Sequence, residues 1–243
     1  MKANFHRTNY FLILSLGAML IGFAPIFVKW SLLSSSAIAF YRMSLTIPFL
    51  FGLNYLLNGR LKFRVKNKRT IIYAAFASLA FTTDLTLWHY SMGITSVSNA
   101  TIIVNSAPIF VAILSFIFFK EKLSKGFVVS FLVTYLGIVG LIYYSNNYIN
   151  GKILGDILCM IAAFFYAVYL LVIARLGKEN SLNIIFYTTL FCCLFSIIPM
   201  IIEGGDIFPS SKFEWINLLL LAVLCQLGGQ YLITHAIGKI SAS

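Results

Sequence analysis

Two residues of opposite charge, Arg42 and Asp84, lie inside long apolar runs and are the first candidates for chemistry in this chain. An ionisable side chain within a bilayer is costly, so it usually serves a function or pairs with another charge. Each residue lies about six positions from the end of its apolar run that is predicted to face outside. At 1.5 Å per residue this is roughly 9 Å below the outer surface. The sequence therefore predicts one guanidinium at the same depth as one carboxylate.

This predicted pair has two interpretations, and the sequence leaves both open. In the first, Arg42 and Asp84 form a buried ion pair that fixes the registry of two helices and touches no ligand. In the second, they belong to the charged wall of a cavity. Asp84 then holds a substrate amine or a proton, and Arg42 or Lys29 holds a carboxylate or a phosphate.

A helical face surrounds Asp84. Phe81, Asp84, Trp88 and Ser91 follow one another at spacings of three, four and three, so they share one side of a helix. A carboxylate between aromatic rings suits a cationic or amine-bearing ligand. The alternative is that Phe81 and Trp88 face lipid or another helix, with Trp88 in the aromatic belt at the membrane interface.

A second polar stripe contains Ser98, Thr101, Asn105 and Pro108, again at spacings of three, four and three. Pro108 lacks a backbone N–H, so we expect a helix kink there and a freed carbonyl near Val104. Asn105 lies one turn from Pro108 and is the candidate that contributes an amide to a ligand. The alternative is that the stripe binds neighbouring helices through hydrogen bonds and close packing.

The last ninety residues or so add amides and phenols near mid-membrane. Gln226, Gly229 and Gln230 share one face of a predicted helix, and Tyr166 and Tyr169 lie three residues apart. Buried tyrosine hydroxyls need hydrogen-bond partners, and core packing explains these residues as well as a ligand site does. The candidate substrate-binding residues are therefore Asp84, Arg42, Trp88, Asn105, Tyr166, Tyr169, Gln226 and Gln230.

Sequence motifs of common enzyme classes are missing. The chain contains no GxxxxGK[ST], GxGxxG, HExxH or GxSxG pattern. Its three histidines are scattered, and its four cysteines lie inside apolar runs without CxxC spacing. We therefore expect no enzymatic activity, no cofactor and no metal site.

The elements that position these residues are apolar helices. Of the 243 residues, 60% are hydrophobic and 10% are charged, whereas soluble domains carry roughly 25% charged residues. The apolar runs are near twenty residues long and do not alternate, which favours spanning helices over barrel strands. The sequence predicts an all-α membrane protein, a polytopic bundle of about eight transmembrane helices. We number these spans one to eight: Asn9–Lys29, Ser36–Leu57, Thr70–Met92, Thr95–Phe118, Gly126–Ser145, Ile153–Ala174, Leu182–Ile202 and Glu214–Ala236.

Positive charge predicts the orientation of these spans. With the N-terminus inside, 14 of the 18 Lys and Arg residues fall in cytoplasmic segments, and three fall outside: Lys29, Lys152 and Lys212. The positive-inside rule then places the N-terminus in the cytoplasm, in a cell inner or plasma membrane. The net charge of +11 therefore reflects loops that flank the bilayer, and we expect no nucleic-acid partner. Gly93 is the predicted turn residue between spans three and four.

The chain also resembles itself at an offset near 145 residues. Ile38–Tyr41 in span two matches Ile184–Tyr187 in span seven. Residues 1–145 form a predicted first repeat of five helices, and residues 146–243 form a second repeat of three helices. An odd number of helices inverts the second copy in the membrane, as in many secondary transporters.

These features together resemble the drug/metabolite transporter superfamily, in its EamA-type branch. The matching segments are Gly17–Lys29, Ala39–Arg42, Ala100–Glu121 with Pro108 at mid-span, and Gly137–Gly140. The resemblance implies ten helices in two inverted five-helix repeats that carry small metabolites. By that pattern the second repeat is about 45 residues and two helices short at the C-terminus.

The resemblance and the polar residues lead to one expected function and two alternatives. We expect a secondary transporter that moves a small polar metabolite across the cytoplasmic membrane by alternating access, with coupling to protons or a counter-substrate left open. One alternative is a truncated remnant that does not transport. The other is a membrane scaffold protein, in which the polar stripes close on one another instead of lining a cavity.

Overall fold

The computed structural model describes residues 2–59, 61, 63–65, 67–120, 153–177 and 179–240, with isolated positions between 126 and 143. Its described elements are helices, and no strand occurs among them. Seven helices in this part of the chain are long and apolar enough to cross a membrane. This confirms the predicted polytopic helical bundle. The predicted span five, Gly126–Ser145, lies largely outside the described residues.

Each described span is built from one to three consecutive helical segments. In chain order they are Lys2–Ile21 and Ala24–Trp30 (span one), Ser35–Ser44 and Thr46–Asn58 (span two), Lys68–Ile94 (span three), Val97–Val104 and Ala107–Phe119 (span four), Ile153–Arg175 (span six), Ser181–Glu203 (span seven), and Lys212–Leu220, the π-helix Leu221–Gln230 and Tyr231–Ile240 (span eight).

The turn between spans three and four differs from the prediction. Gly93 lies inside the helix Lys68–Ile94, so the prediction that it makes the turn is wrong. The chain leaves the helix at Thr95, and the Ser96 side chain accepts a hydrogen bond from the Asn99 N–H at 3.0 Å. Ser96 has extended backbone angles (φ −72°, ψ 146°), so a serine cap makes this turn without a glycine.

The helices pack into two compact units. The first contains residues 1–82 and 172–243, and the second contains residues 83–171. Each unit thus draws residues from both predicted repeats. The repeat itself stays a prediction, because helix packing alone does not test it.

In the first unit, span one crosses span eight at glycines. A Cβ atom on Gly229 would lie 2.6 Å from Ile21 Cγ1 and 3.0 Å from the Gly17 carbonyl oxygen. A Cβ atom on Gly17 would lie 2.9 Å from the Gly229 carbonyl oxygen. The two backbones are therefore in contact, which is how small residues allow membrane helices to approach closely.

Spans two and seven form the apolar core of the same unit. Leu50, Ile185 and Phe186 are buried together, and Tyr187 and Phe63 pack at the edge of this cluster. Ser78 in span three donates a hydrogen bond to the Thr188 carbonyl of span seven at 3.0 Å. The contact links span three to span seven within the first unit.

At the predicted outer end of the first unit, Glu203 holds the start of span two. Its carboxylate accepts hydrogen bonds from the backbone N–H groups of Ser35 at 3.0 Å and Ser36 at 2.8 Å. The Ser34 N–H donates to the Asp206 carbonyl at 2.9 Å. A carboxylate at a helix N-terminus satisfies unpaired backbone donors and interacts favourably with the helix dipole.

Glu214 makes a second link at this end. It is buried and accepts hydrogen bonds from the Ser31 hydroxyl and from the Leu32 N–H, the latter at 3.4 Å. Asn217, one turn along span eight, donates its amide to the Phe27 carbonyl at 2.7 Å. Spans seven and eight therefore hold the loop between spans one and two through side chains rather than through apolar packing alone.

The second unit has a small-residue core. Ala107 of span four packs against Ala163 and Ala167 of span six, all with 1% exposure or less. Phe110 and Tyr166 pack around these alanines. Alanines at the contact bring the two helices close together, as is common between membrane helices.

Candidate functional site

Arg42 is the buried cation at the centre of the first unit. It is 2% exposed, and its Nε donates a hydrogen bond to Gln226 Oε1 at 3.1 Å. Its Cζ atom lies 6.0 Å from the centroid of the Phe81 ring, within the range of a cation–π contact. Arg42 and Gln226, both predicted site residues, are therefore in contact across spans two and eight.

A break in span two sets the position of Arg42. The first helix of the span ends at Ser44 and the next begins at Thr46, with Leu45 between them. The Thr46 hydroxyl lies 2.7 Å from the Arg42 carbonyl oxygen and 3.2 Å from the Ala222 carbonyl oxygen. The hydroxyl thus joins the break in span two to span eight beside the guanidinium.

Span eight presents Gln226 and Gln230 from a π-helix. The ten residues Leu221–Gln230 have this wider geometry, and both glutamines are 1% exposed. A π-helix has i→i+5 hydrogen bonds and is rare, and such segments often occur at functional sites. Gly229 in the same segment contacts span one, whereas Gln226 contacts Arg42 of span two. The face predicted to be shared by these residues of span eight therefore contacts two different spans.

The predicted face around Asp84 is buried. Phe81 is 2% exposed, Asp84 3%, Trp88 6% and Ser91 0%. Both rings are covered by protein, so they do not face lipid, and the other part of that alternative, packing against another helix, stays open. The Trp88 ring lies 5.4 Å from the His89 ring, measured between centroids. Asp84 thus lies on a helix side that combines a carboxylate with aromatic rings.

Arg42 belongs to the first unit and Asp84 to the second. The predicted ion pair between them stays a prediction, as does their shared role in a charged wall.

The polar stripe of span four is largely exposed, unlike the buried face around Asp84. Ser98, Asn105 and Pro108 are exposed, and Thr101 is partly exposed. Asn105 donates its amide to the Thr101 carbonyl at 2.8 Å, and the Thr101 hydroxyl donates to the Val97 carbonyl at 2.6 Å. These hydrogen bonds stay within span four, so they do not hold a neighbouring helix.

The predicted kink at Pro108 is present. The helix Val97–Val104 ends, Asn105 and Ser106 form a turn, and the next helix begins at Ala107. Pro108 occupies the first turn of this second helix, where a missing N–H breaks no intrahelical hydrogen bond. The kink places Asn105, at the break itself, on the surface of the second unit.

Tyr166 and Tyr169 form a stacked pair in span six. Their ring centroids are 6.0 Å apart with an angle of 11° between the ring planes. Tyr169 is fully buried, and Tyr166 also packs against the alanine core of spans four and six. Packing thus accounts for most of the surface of both rings, and a ligand contact for either tyrosine stays a prediction.

Asp156 is a buried carboxylate that the sequence reasoning missed. It is 2% exposed and lies in the first turn of span six. The Thr95 hydroxyl donates to Asp156 Oδ1 at 2.7 Å, and the Asn99 amide lies 3.3 and 3.4 Å from Oδ1 and Oδ2. The signal available in the sequence was an acid near the start of an apolar run.

Replacing Asp156 by alanine should lower the free energy of unfolding by about 2 kcal/mol. The substitution leaves the Thr95 hydroxyl and the Asn99 amide without their hydrogen-bond acceptor in a buried site. Asp156→Asn keeps one acceptor oxygen and should lose about half as much. Thermal unfolding of both variants in detergent measures this. An alanine variant as stable as the native chain would show that the carboxylate does not hold the hairpin between spans three and four.

Within the part of the chain that the structure describes, no three His, Cys, Asp or Glu side chains converge where a metal ion could bind.

The chain matches a family model, a curated protein and solved structures. The family model of the EamA-like transporter family matches residues 8–143 and 153–243. An "Uncharacterized transporter in sor 3'region" from Acidianus ambivalens is 26% identical over 137 residues, which are 56% of this chain and 53% of the relative. This chain therefore spans about half the length of the curated relative it matches. A crystal structure described only as that of a protein matches with a TM-score of 0.72 at 13% identity, covering 96% of this chain and 79% of the other.

Proposed function

The chain belongs to the EamA-like transporter family, and we propose that it is a secondary transporter of a small polar metabolite that works by alternating access across the cytoplasmic membrane. It is a multi-pass membrane protein of a transporter family. The observation that carries the finer proposal is the buried contact between Arg42 and Gln226, in which Gln226 lies on the π-helix of span eight. A guanidinium and an amide are costly to bury within a membrane protein, so residues of this kind usually serve a function.

The chemistry of this contact suits ligand exchange. Gln226 is a neutral amide, so its hydrogen bond to Arg42 is weaker than a bond to a carboxylate or phosphate. A substrate that carries either anion can therefore compete with Gln226 for the guanidinium. Asp84, on a buried face with Trp88, supplies a carboxylate for a substrate amine or a coupling proton. A carboxylate or phosphate on the substrate therefore suits Arg42, and an amine suits Asp84.

Alternating access also needs an end that can open. At the predicted outer end, Glu203 and Glu214 hold the loop between spans one and two through a few hydrogen bonds. A hydrogen bond to a carboxylate contributes about 1.5–3 kcal/mol to stability, and opening this end requires only a small number of such bonds to break. In our proposal these contacts separate when the first unit opens toward the outside. The proposal also includes a cytoplasmic N-terminus, from the distribution of Lys and Arg, and a location in the inner or plasma membrane.

Flux measurement tests this function. The purified chain, reconstituted in liposomes, should take up at least one solute from a panel of amino acids, nucleosides and sugar phosphates with saturable kinetics. Asp84→Asn should reduce the rate by about tenfold or flatten its pH profile, since the amide neither binds a proton nor attracts an amine.

Asp206→Asn is the matched control, because Asp206 is an exposed loop carboxylate. It should transport at the native rate. An Asp84→Asn variant with the native rate and pH profile would remove Asp84 from the site. A folded protein with no saturable flux for any solute would overturn the transport proposal.

A membrane scaffold protein is the second candidate, and the burial of Gln226 and Asp84 favours it. In a scaffold these side chains stay packed against other helices. Introduced cysteines, Asp84→Cys and Gln226→Cys, should then resist a water-soluble maleimide in membranes, with the native cysteines replaced. Labelling from the aqueous side, blocked by a transported solute, would count against the scaffold and for the transporter.

A further inference from the structure

The linker between spans two and three carries the densest positive charge of the chain. Residues 60–69 contain six Lys and Arg residues and no acid. The basic residues occupy every even position from 60 to 68, and Leu61, Phe63 and Val65 lie between them. Orientation of the chain requires positive charge at this end, but it does not require an alternating pattern. The pattern indicates a segment with one apolar side and one basic side.

The apolar side of this linker packs against the rest of the first unit through Phe63. The Phe63 ring stacks on Phe186 of span seven, with centroids 3.8 Å apart and an angle of 12° between the planes. Phe51 of span two meets the Phe63 ring edge-on at 5.4 Å. Phe63 therefore belongs to the same apolar cluster as Leu50 and Ile185.

Span seven also binds the linker backbone. The Asn183 amide donates to the Arg64 carbonyl at 2.6 Å, and the Tyr187 hydroxyl donates to the Phe63 carbonyl at 3.2 Å. Two consecutive carbonyls are thus held by two side chains one turn apart on the same helix. The linker next to Phe63 is fixed in place, unlike a loop that only passes through solvent.

The basic side chains that follow this anchor are exposed. Phe63 is partly buried against the cluster of Leu50, Ile185 and Phe186, so the linker has a protein-facing side at Phe63. Arg64 is exposed, and so are Lys68 and Arg69 in the first turn of span three. A cation in the first turn of a helix interacts unfavourably with the helix dipole. Helix stability therefore does not explain Lys68 and Arg69 at this position. The Thr70 hydroxyl at the start of span three donates a hydrogen bond to Glu179 at 3.3 Å.

We propose that Arg64, Lys68 and Arg69 form a docking surface for the headgroups of anionic phospholipids. The chain itself places this surface at the edge of the bilayer, since the linker joins the ends of two membrane spans. Clusters of Lys and Arg beside a spanning helix bind anionic lipid, and each cation contributes about a fivefold increase in affinity. The anchored Phe63 distinguishes this surface from a diffuse positive loop, because it holds the backbone next to Arg64 in place, while the helix of span three carries Lys68 and Arg69.

Native mass spectrometry of the full chain in detergent tests this proposal, with phosphatidylglycerol and phosphatidylcholine of identical acyl chains added at equal concentration. The native chain should retain phosphatidylglycerol preferentially. The triple variant Arg64→Gln, Lys68→Gln, Arg69→Gln should lose this preference by about tenfold or more. Phe63→Ala keeps every charge but removes the anchor, and it should weaken the preference several-fold.

The matched control neutralises three exposed lysines elsewhere, Lys29→Gln, Lys212→Gln and Lys239→Gln. It has the same net charge as the triple variant and should keep the native preference. Thermal unfolding of each variant establishes that it is folded, and a graded loss in Arg64→Gln alone serves if the triple variant is unstable. An equal loss in the control, or no loss in Phe63→Ala, would overturn the proposal. Full displacement of the lipid by glycerol phosphate would also overturn it, because the surface would then bind free phosphate rather than a membrane.

Discussion

Gly177→Ala should destabilise the protein more than a methyl group added at most other described glycines. A Cβ atom at this position would lie 2.4 Å from the Gly238 carbonyl oxygen, 2.7 Å from its Cα and 2.9 Å from its carbonyl carbon. All three are backbone atoms, which cannot rotate away, so the turn after span six and the end of span eight must separate. Overpacking of a tight contact costs about 3 kcal/mol, which corresponds to a fall in melting temperature on the order of 5–10 °C.

Thermal unfolding in detergent, followed by tryptophan fluorescence or circular dichroism, measures this effect. Gly52→Ala and Gly93→Ala are matched controls, since both glycines are helical and a Cβ on either meets nothing within 4 Å. These two variants should be neutral or more stable, because alanine favours a helix by about 1 kcal/mol over glycine. Equal melting temperatures for Gly177→Ala and Gly52→Ala would contradict the close approach of Gly177 and Gly238.

Arg42→Gln should have the largest effect on transport. The substitution removes the buried positive charge and the Nε that donates to Gln226 Oε1 at 3.1 Å. If a substrate anion binds Arg42, the loss of a charge-assisted hydrogen bond of about 2–3 kcal/mol should reduce the rate by roughly thirtyfold to a hundredfold. Arg42→Lys keeps the charge but not the planar fork, so it should transport at an intermediate rate.

Two measurements separate a substrate role for Arg42 from a structural one. Flux per folded molecule reports the substrate role, and a double-mutant cycle with Gln226→Leu in thermal unfolding reports the coupling within the pair, expected at about 1–2 kcal/mol. Lys212→Gln is the control, since it removes an exposed cation at the predicted outer end that has no predicted ligand role. An Arg42→Gln variant with reduced stability but native flux per folded molecule would assign Arg42 a structural role only.

The sequence determined the spans well. Span two was predicted as Ser36–Leu57 and is Ser35–Asn58, and span three was predicted as Thr70–Met92 and is Lys68–Ile94. In a bilayer each segment must satisfy its own backbone hydrogen bonds, so a local run of apolar residues is enough to specify a helix. The break in span four was equally local, because Pro108 lacks the N–H that would continue the hydrogen-bond ladder.

The sequence did not determine which side of span four is buried. Ser98, Thr101 and Asn105 formed the predicted stripe of span four, but Asn99 is the residue that turns inward, to Asp156. In a soluble protein the polar side of a helix faces water, whereas a spanning helix is apolar on all sides and its periodicity carries little information about its neighbours. The burial of Asp156 depends on Thr95 and Asn99, which lie 61 and 57 residues away in the chain.

Only the tertiary structure showed the partner of Gln226 and the geometry that presents it. Hydropathy selected Gln226 as a mid-membrane amide, but its contact with Arg42 crosses 184 residues of sequence. The π-helix Leu221–Gln230 had no signal in residue type, since the same residues are compatible with an ordinary α-helix. Helix formation in a membrane is a local property of the chain, whereas the contacts of each polar side chain depend on which helices pack together, and that is decided by the whole fold.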